Sequence, residues 1–146
     1  MSVQENISML RNIYDSYNRK DFNAAVKNVD SGAVFTDVPA NRTFKGPDGF
    51  KQLLQNWNTA FPDSKIEIKN ISAGEDFAVC EFRGTGTHKG TLRTPDGDIE
   101  ATGKHADVPF CDVYRLKNGK IVSSSSYYDV ATFMKQLGIL EHRMHA

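Results

Sequence analysis

The hydrophobic pattern of this chain changes its period once, and that change constrains the fold more than any other feature. Before Pro62, apolar residues recur every three or four positions over residues 2–18 and 50–61, which predicts amphipathic helices. After Pro62 the pattern alternates with a period of two, which predicts strands joined by turns. Helices followed by a meandering sheet predict an α+β fold, with three N-terminal helices on one face of a strongly curved antiparallel sheet.

Start and stop signals define the expected helices. Asp21 is expected to cap a short second helix, and Pro47 stands at the first position of the third, which Pro62 ends. Asp129 is expected to cap a last short helix that Gly138 closes.

The segments outside these helices predict strands. They cover residues 33–37, 65–71, 77–83, 85–93 and 121–128, and one long or kinked strand covers 99–116. Within that long strand, Pro109 indicates an edge or a bulge. Asn118-Gly119 predicts a tight hairpin turn, because these residues accept positive φ angles. No repeat or linker interrupts the pattern, so residues 1–146 are expected to form a single domain.

Composition excludes several classes of function. The 146 residues include 18 basic and 18 acidic side chains, so no positive surplus is present to neutralise the phosphates of a nucleic acid. No apolar run is long enough to span a membrane, and the N-terminus lacks the pattern of a signal peptide, so a cytoplasmic location is expected. Cys80 and Cys111 lack metal-site spacing and are expected to be reduced thiols.

Several short motifs occur in an order typical of one family. They are Gly46–Phe50, Phe61–Asp63, Gly84–Gly90, Asp112–Leu116, Gly119–Val122, Tyr127–Asp129 and Gln136–Gly138. In this order the chain resembles, over nearly its whole length, the SnoaL-like polyketide cyclases of the NTF2-like (ketosteroid-isomerase-like) superfamily. The resemblance implies a cone-shaped fold around one deep apolar pocket, chemistry without metal or organic cofactor, and a homodimer formed through the outer sheet face.

The resemblance implies that Asp129 is the acid/base group of an intramolecular aldol ring closure. This reaction takes a proton from a carbon beside a carbonyl group and returns one to oxygen. One carboxyl group whose pKa is raised by an apolar pocket can do both. From the residues alone, an aspartate at the start of a helix is equally an N-cap.

Asp112 shares a strand face with Phe110 and Tyr114, so it lies at a sheet edge, in a salt bridge or inside a pocket. In ketosteroid isomerase, which this stretch also resembles, the matching aspartate is protonated and donates to the substrate oxyanion. Its partner there is a tyrosine of the first helix. An ungapped match places Ile13 at that position and Tyr14 one residue out of register, which predicts that the partner is missing.

Two further polar candidates follow. Asp37 ends the first predicted strand, where the resemblance implies the general base of ketosteroid isomerase and the local sequence indicates turn chemistry. His105 is a candidate polar helper, because SnoaL-like cyclases use a strand histidine. His105 and Asp107 lie on one strand face, and only His88 could complete a metal site with them, so no metal is expected. The three aspartates are expected to converge on one pocket.

Most aromatic residues are expected to fill the core. Some are expected to line the substrate pocket, namely Tyr14, Phe35, Trp57, Phe110, Tyr114 and Tyr127.

Two functions remain open on these grounds. One is a cofactor-independent acid/base enzyme of the cyclase type, acting on a small apolar carbonyl compound. The alternative is a non-catalytic protein that binds a small apolar ligand, or a related isomerase or hydratase.

Overall fold

A computed structural model describes residues 2–139, and these contain four helices and eight strands. The helices are α1 (Val3–Asn18), α2 (Phe22–Ala25), α3 (Gly46–Ala60) and α4 (Val130–Gln136). The strands are β1 (Val29–Asp37), β2 (Arg42–Lys45), β3 (Lys65–Ala73), β4 (Phe77–Thr87), β5 (Leu92–Thr94), β6 (Gly97–Ile99), β7 (His105–Lys117) and β8 (Lys120–Tyr128). His142 and His145 lie outside the described residues. No described helix is long and apolar enough to cross a membrane.

The main sheet has six strands in the order β2-β1-β8-β7-β4-β3. Its curved surface carries the helices, as predicted for an α+β fold, although α2 is only a four-residue turn of helix. The prediction of a wholly antiparallel sheet is wrong at one junction, because β1 and β8 pair in parallel. A parallel pair needs a long crossover connection, and α3 with β3–β7 supplies it.

The predicted long strand over residues 99–116 is two strands. β6 pairs with β5 in a separate hairpin, and residues 100–104 form no strand before β7 begins. Gly103 contributes to the break, because its φ of 73° is incompatible with an extended strand. Pro109 lies one residue beyond the point where β8 stops pairing with β7, so this part of β7 is an edge, as expected.

Local signals act where they were expected. Asp21 accepts a hydrogen bond from the Ala24 amide at 3.1 Å. Asn118 and Gly119 have φ angles of 51° and 73°, which is the geometry of a tight hairpin turn. Cys80 and Cys111 are free thiols.

A bulge in β8 reverses the inward and outward faces of the second half of the strand. Leu116 of β7 pairs with Ile121, but Arg115 pairs with Ser123, so Val122 is an extra residue. Because side chains alternate, the inward positions shift from the odd number of Ile121 to even numbers beginning at Ser124.

Candidate functional site

An apolar cavity of about 110 Å³ lies between α1, α3 and the inner face of the sheet. Its walls are mainly aromatic and aliphatic side chains, among them Ile13, Phe50, Leu54, Phe61, Phe82 and Val108. The polar side chains that line it include Asp112, Tyr14, Tyr114, Ser124 and Ser126. An apolar cavity with a few grouped polar atoms is the usual form of a small-molecule site.

Asp112, Tyr14 and Tyr114 form one buried hydrogen-bonded cluster. The Tyr14 hydroxyl donates to Asp112 Oδ2 at 2.9 Å and lies 2.8 Å from the Tyr114 hydroxyl. The Tyr114 hydroxyl lies 3.4 Å from the same Oδ2 atom. Asp112 Oδ1 is buried and has no partner within hydrogen-bonding distance, so its acceptor capacity is not used within the protein.

The prediction that the tyrosine partner of Asp112 is missing is wrong. Successive helix residues are about 100° apart, so a wide apolar stripe includes neighbouring positions. Ile13 and Tyr14 are therefore both buried against the sheet, and only the longer side chain reaches Asp112. An ungapped match compares single positions, so it does not take into account that two neighbouring helix residues can face the same side.

Burial raises the pKa of Asp112 to about 6, and the charge of Asp37 adds slightly in the same direction. The hydroxyl groups of Ser126, Tyr14 and Tyr114 oppose this rise, because they stabilise the carboxylate. Burial and the nearby Asp112 charge raise the pKa of both tyrosines well above the usual range. The phenols therefore remain hydrogen-bond donors at neutral pH, while Asp112 exchanges its proton close to neutrality.

Replacing Tyr14 by phenylalanine is expected to raise the pKa of Asp112 by about one unit or more, because the carboxylate loses a charge-assisted hydrogen bond. A ¹³C NMR titration of the aspartate carboxyl carbons measures this shift. Tyr17→Phe is the matched control, since the Tyr17 hydroxyl lies beside Ser64 and does not contact Asp112. An Asp112 pKa that stays the same or falls in Tyr14→Phe would contradict the assigned hydrogen bond.

Asp37 lies in the same row of the sheet as Asp112 but lines a different cavity. Ser126 of β8 pairs with Asp37 on one side and with Asp112 on the other, which places the two aspartate Cα atoms about 10 Å apart. The Tyr128 hydroxyl donates to both oxygens of Asp37, at 2.9 and 3.1 Å. Burial raises the pKa of Asp37. Sequence reasoning missed Tyr128, because its inward direction depends on the bulge in β8.

Asp129 does not join the other two aspartates. It is exposed at the N-terminus of α4, where it accepts hydrogen bonds from the Ala131 and Thr132 amides and from the Thr132 hydroxyl. The Thr132 side chain is the main cause that lowers the pKa of Asp129. Of the two expected roles of Asp129, acid/base group and N-cap, the structure shows the N-cap. The prediction that the three aspartates converge on one pocket is wrong.

His105 lies on the outer, solvent-exposed face of β7. Its Nδ1 atom is 3.4 Å from the Thr87 hydroxyl, and its neighbour Asp107 pairs with Arg83 at 2.7 Å. His88 is buried elsewhere, with its Nδ1 atom 3.0 Å from the Thr102 hydroxyl. Among residues 2–139, no group of three His, Cys, Asp or Glu side chains could hold a metal ion.

Four of the six aromatic residues expected in the pocket line the cavity, namely Tyr14, Trp57, Phe110 and Tyr114. The expectation is wrong for Phe35, which stacks on Phe50 within the core at a ring distance of 4.2 Å. It is also wrong for Tyr127, which is 48% exposed because the bulge directs Tyr128 inward instead.

Comparisons with known proteins agree with this architecture. AclR, a candidate hydroxylase from Streptomyces galilaeus, is 22% identical with a TM-score of 0.78, covering 94% of this chain and 98% of its own. A candidate SnoaL-like polyketide cyclase from Jannaschia sp. CCS1 is 16% identical with a TM-score of 0.81, covering 92% of both chains. TsrD from Streptomyces laurentii is 16% identical with a TM-score of 0.81, covering 96% of this chain and 99% of its own.

These identities are low, so the likenesses establish the fold alone. No curated protein is similar enough in sequence to match. The family model of the SnoaL-like polyketide cyclases matches residues 7–137, which include most of α1, the whole sheet and α4. The chain therefore belongs to the SnoaL-like polyketide cyclase family.

Proposed function

We propose that this protein is a cyclase-like acid/base enzyme in which Asp112 transfers the proton. Membership of the SnoaL-like family supports a cyclase-like enzyme in general. One observation carries the assignment to Asp112, namely the unpartnered Oδ1 atom of a buried carboxyl group that lines an apolar cavity. Its pKa of about 6 suits a group that must both take and return a proton near neutral pH.

The proposed reaction is an intramolecular aldol ring closure of a small apolar carbonyl compound. Asp112 Oδ1 takes a proton from a carbon beside one carbonyl group. That carbon then forms a bond with the carbon of a second carbonyl group in the same molecule, and the new alkoxide takes the proton back. One C–H bond and the π bond of the second carbonyl group are broken while one C–C and one O–H bond form, so the product is an isomer and no oxidant is needed.

The two tyrosines position the proton-transfer group. Because both hydroxyls approach Oδ2, they hold the carboxyl plane and leave Oδ1 as the oxygen without a hydrogen-bond partner. The surrounding apolar side chains exclude water, which strengthens these hydrogen bonds in the lower local dielectric. A positioned general base of this kind typically accelerates proton transfer by about 10²- to 10⁴-fold.

A single-ring ketone provides a direct test. The protein is expected to accelerate the exchange of the α-hydrogens of cyclopentanone for deuterium in D₂O, as followed by NMR. The carboxylate form is the base, so the rate should rise with pH and level off above about 6.

The absence of acceleration over buffer, or a rate independent of pH between 4 and 8, would contradict the proposal. Saturable binding of cyclopentanone without exchange would instead favour the non-catalytic pocket protein.

A further inference from the structure

A second cavity, of about 160 Å³, lies beside the first. Its walls come from β1, β2, α3, α4 and the β5–β6 hairpin. Three apolar side chains line both cavities, namely Leu53, Trp57 and Phe133. The two spaces are therefore neighbours with a common wall.

The second cavity is the more polar of the two. Asp37, hydrogen-bonded by the Tyr128 hydroxyl, lies on one of its walls. Asn56 of α3 also lines this cavity. The Asn56 Oδ1 atom accepts a hydrogen bond from Gln52, whereas the Asn56 Nδ2 atom is buried without an acceptor. A buried N–H donor without an acceptor costs free energy, so a ligand oxygen placed here would be favoured.

Trp57 forms the central part of the common wall. Its ring meets Phe110 of the first cavity edge-on at 5.9 Å and Tyr128 of the second at 5.8 Å. A third contact, to Phe133 at 5.8 Å, fixes the ring from the side of α4. Trp57 therefore contacts aromatic side chains on both sides of the common wall.

Each of the two cavities has about the volume of one ring. An engineered cavity of about 150 Å³ holds a benzene molecule, so each cavity here takes roughly one ring. A molecule that closes a ring by joining two of its own carbonyl parts, and that carries any further substituent, is larger than this. The second cavity, which shares a wall with the first, provides space for its remaining part.

On the basis of the proposed function, we propose that the second cavity is a subsite for a hydroxyl- or enol-bearing end of the substrate. Asp37 and Asn56 are its proposed polar contacts, and Arg42, Arg93 and Asp96 also line this cavity. A hydroxyl group fits because it can accept from Asn56 and donate to Asp37. It also suits either protonation state of that carboxyl group, since it can accept a hydrogen bond as well as donate one. Trp57 separates this end from the carbonyl end beside Asp112.

Two phenols that differ in one atom test this subsite, 4-(3-hydroxypropyl)phenol and 4-propylphenol. Binding of each is measured by calorimetry. In Asp37→Leu the hydroxyl-terminated probe is expected to bind about tenfold more weakly, while 4-propylphenol changes less than twofold. Asn56→Leu provides a second variant with the same selective direction. Asp15→Asn, an exposed position on α1, should leave both affinities unchanged.

Equal changes for the two probes in both variants, or no change for either probe, would overturn the subsite. Exchange of cyclopentanone by the wild-type protein tests the proposed function separately, because that ketone has no second end. Selective weakening in the absence of exchange would retain the ligand subsite and remove the enzymatic role of Asp112.

Discussion

Replacing Asp112 by asparagine is expected to lower the rate of cyclopentanone hydrogen exchange by about 10²- to 10⁴-fold, the usual contribution of a positioned general base. Asparagine preserves the shape of the side chain, and its oxygen can still accept from Tyr14. It has no basic oxygen that could take a proton at neutral pH. The loss should therefore appear in the rate constant for exchange more than in the affinity for the ketone.

Asp129→Asn is the decisive comparison, because the family resemblance implies that Asp129 is the acid/base group. In the structure this carboxylate is exposed and bound to the first turn of α4. We expect Asp129→Asn to retain exchange within about twofold and to lose about 1 kcal/mol of stability or less, as a weakened cap does. Retained exchange in Asp112→Asn with lost exchange in Asp129→Asn would reverse the assignment.

The pH dependence of stability gives a second measurement on Asp112→Asn. The folded-state pKa is raised from 3.8 to about 6, so between these values the folded protein holds a proton that the unfolded chain has released. Stability conferred by this group is therefore lost as pH rises from about 4 to 6, by about 3 kcal/mol, and is constant above. Urea unfolding of Asp112→Asn should lack this slope, and an identical slope in both proteins would show that Asp112 ionises normally.

Replacing Gly90 by alanine is expected to destabilise the protein by about 3 kcal/mol, at the upper end of the range for an overpacked site. A Cβ atom at Gly90 would lie 2.0 Å from the Thr59 carbonyl oxygen and 3.0 Å from its carbon. These are backbone atoms of α3 and have no rotamer with which to move aside. The Gly90 amide also donates to the Ala60 carbonyl at 3.2 Å, which holds the two segments together.

The close contact between Gly90 and the end of α3 matters for the cavities. Gly90 begins the segment that leads into the β5–β6 hairpin, which lines the second cavity. Gly32→Ala is the matched control, since its nearest neighbour would be an Asp30 carboxylate oxygen at 3.4 Å. We expect that variant to unfold in urea within about 0.5 kcal/mol of the wild type. A Gly90→Ala protein as stable as Gly32→Ala would mean that the close approach is relieved by a small backbone shift.

Much of the fold could be predicted from local patterns. The caps of α2 and α4 and the turn at Asn118-Gly119 follow from the chemistry of single residues and their immediate neighbours. The parallel pairing of β1 with β8 could not be predicted in this way, because it joins segments separated by most of the chain. The same holds for the bulge at Val122, which has no distinctive composition and reverses the faces of Tyr127 and Tyr128.

The sequence by itself determined the α+β class, the family and the face on which Phe110, Asp112 and Tyr114 lie, because periodicity is a property of neighbouring residues. Only the tertiary structure decided which aspartate lines the apolar cavity and which tyrosine donates a hydrogen bond to that aspartate. Those outcomes depend on a helix packing on strands about a hundred residues away, where a hydroxyl group must come within hydrogen-bonding distance of a buried carboxylate. The physical reason is that burial and long-range contacts, rather than local sequence, determine the pKa of a carboxyl group and which of its oxygens lacks a hydrogen-bond partner.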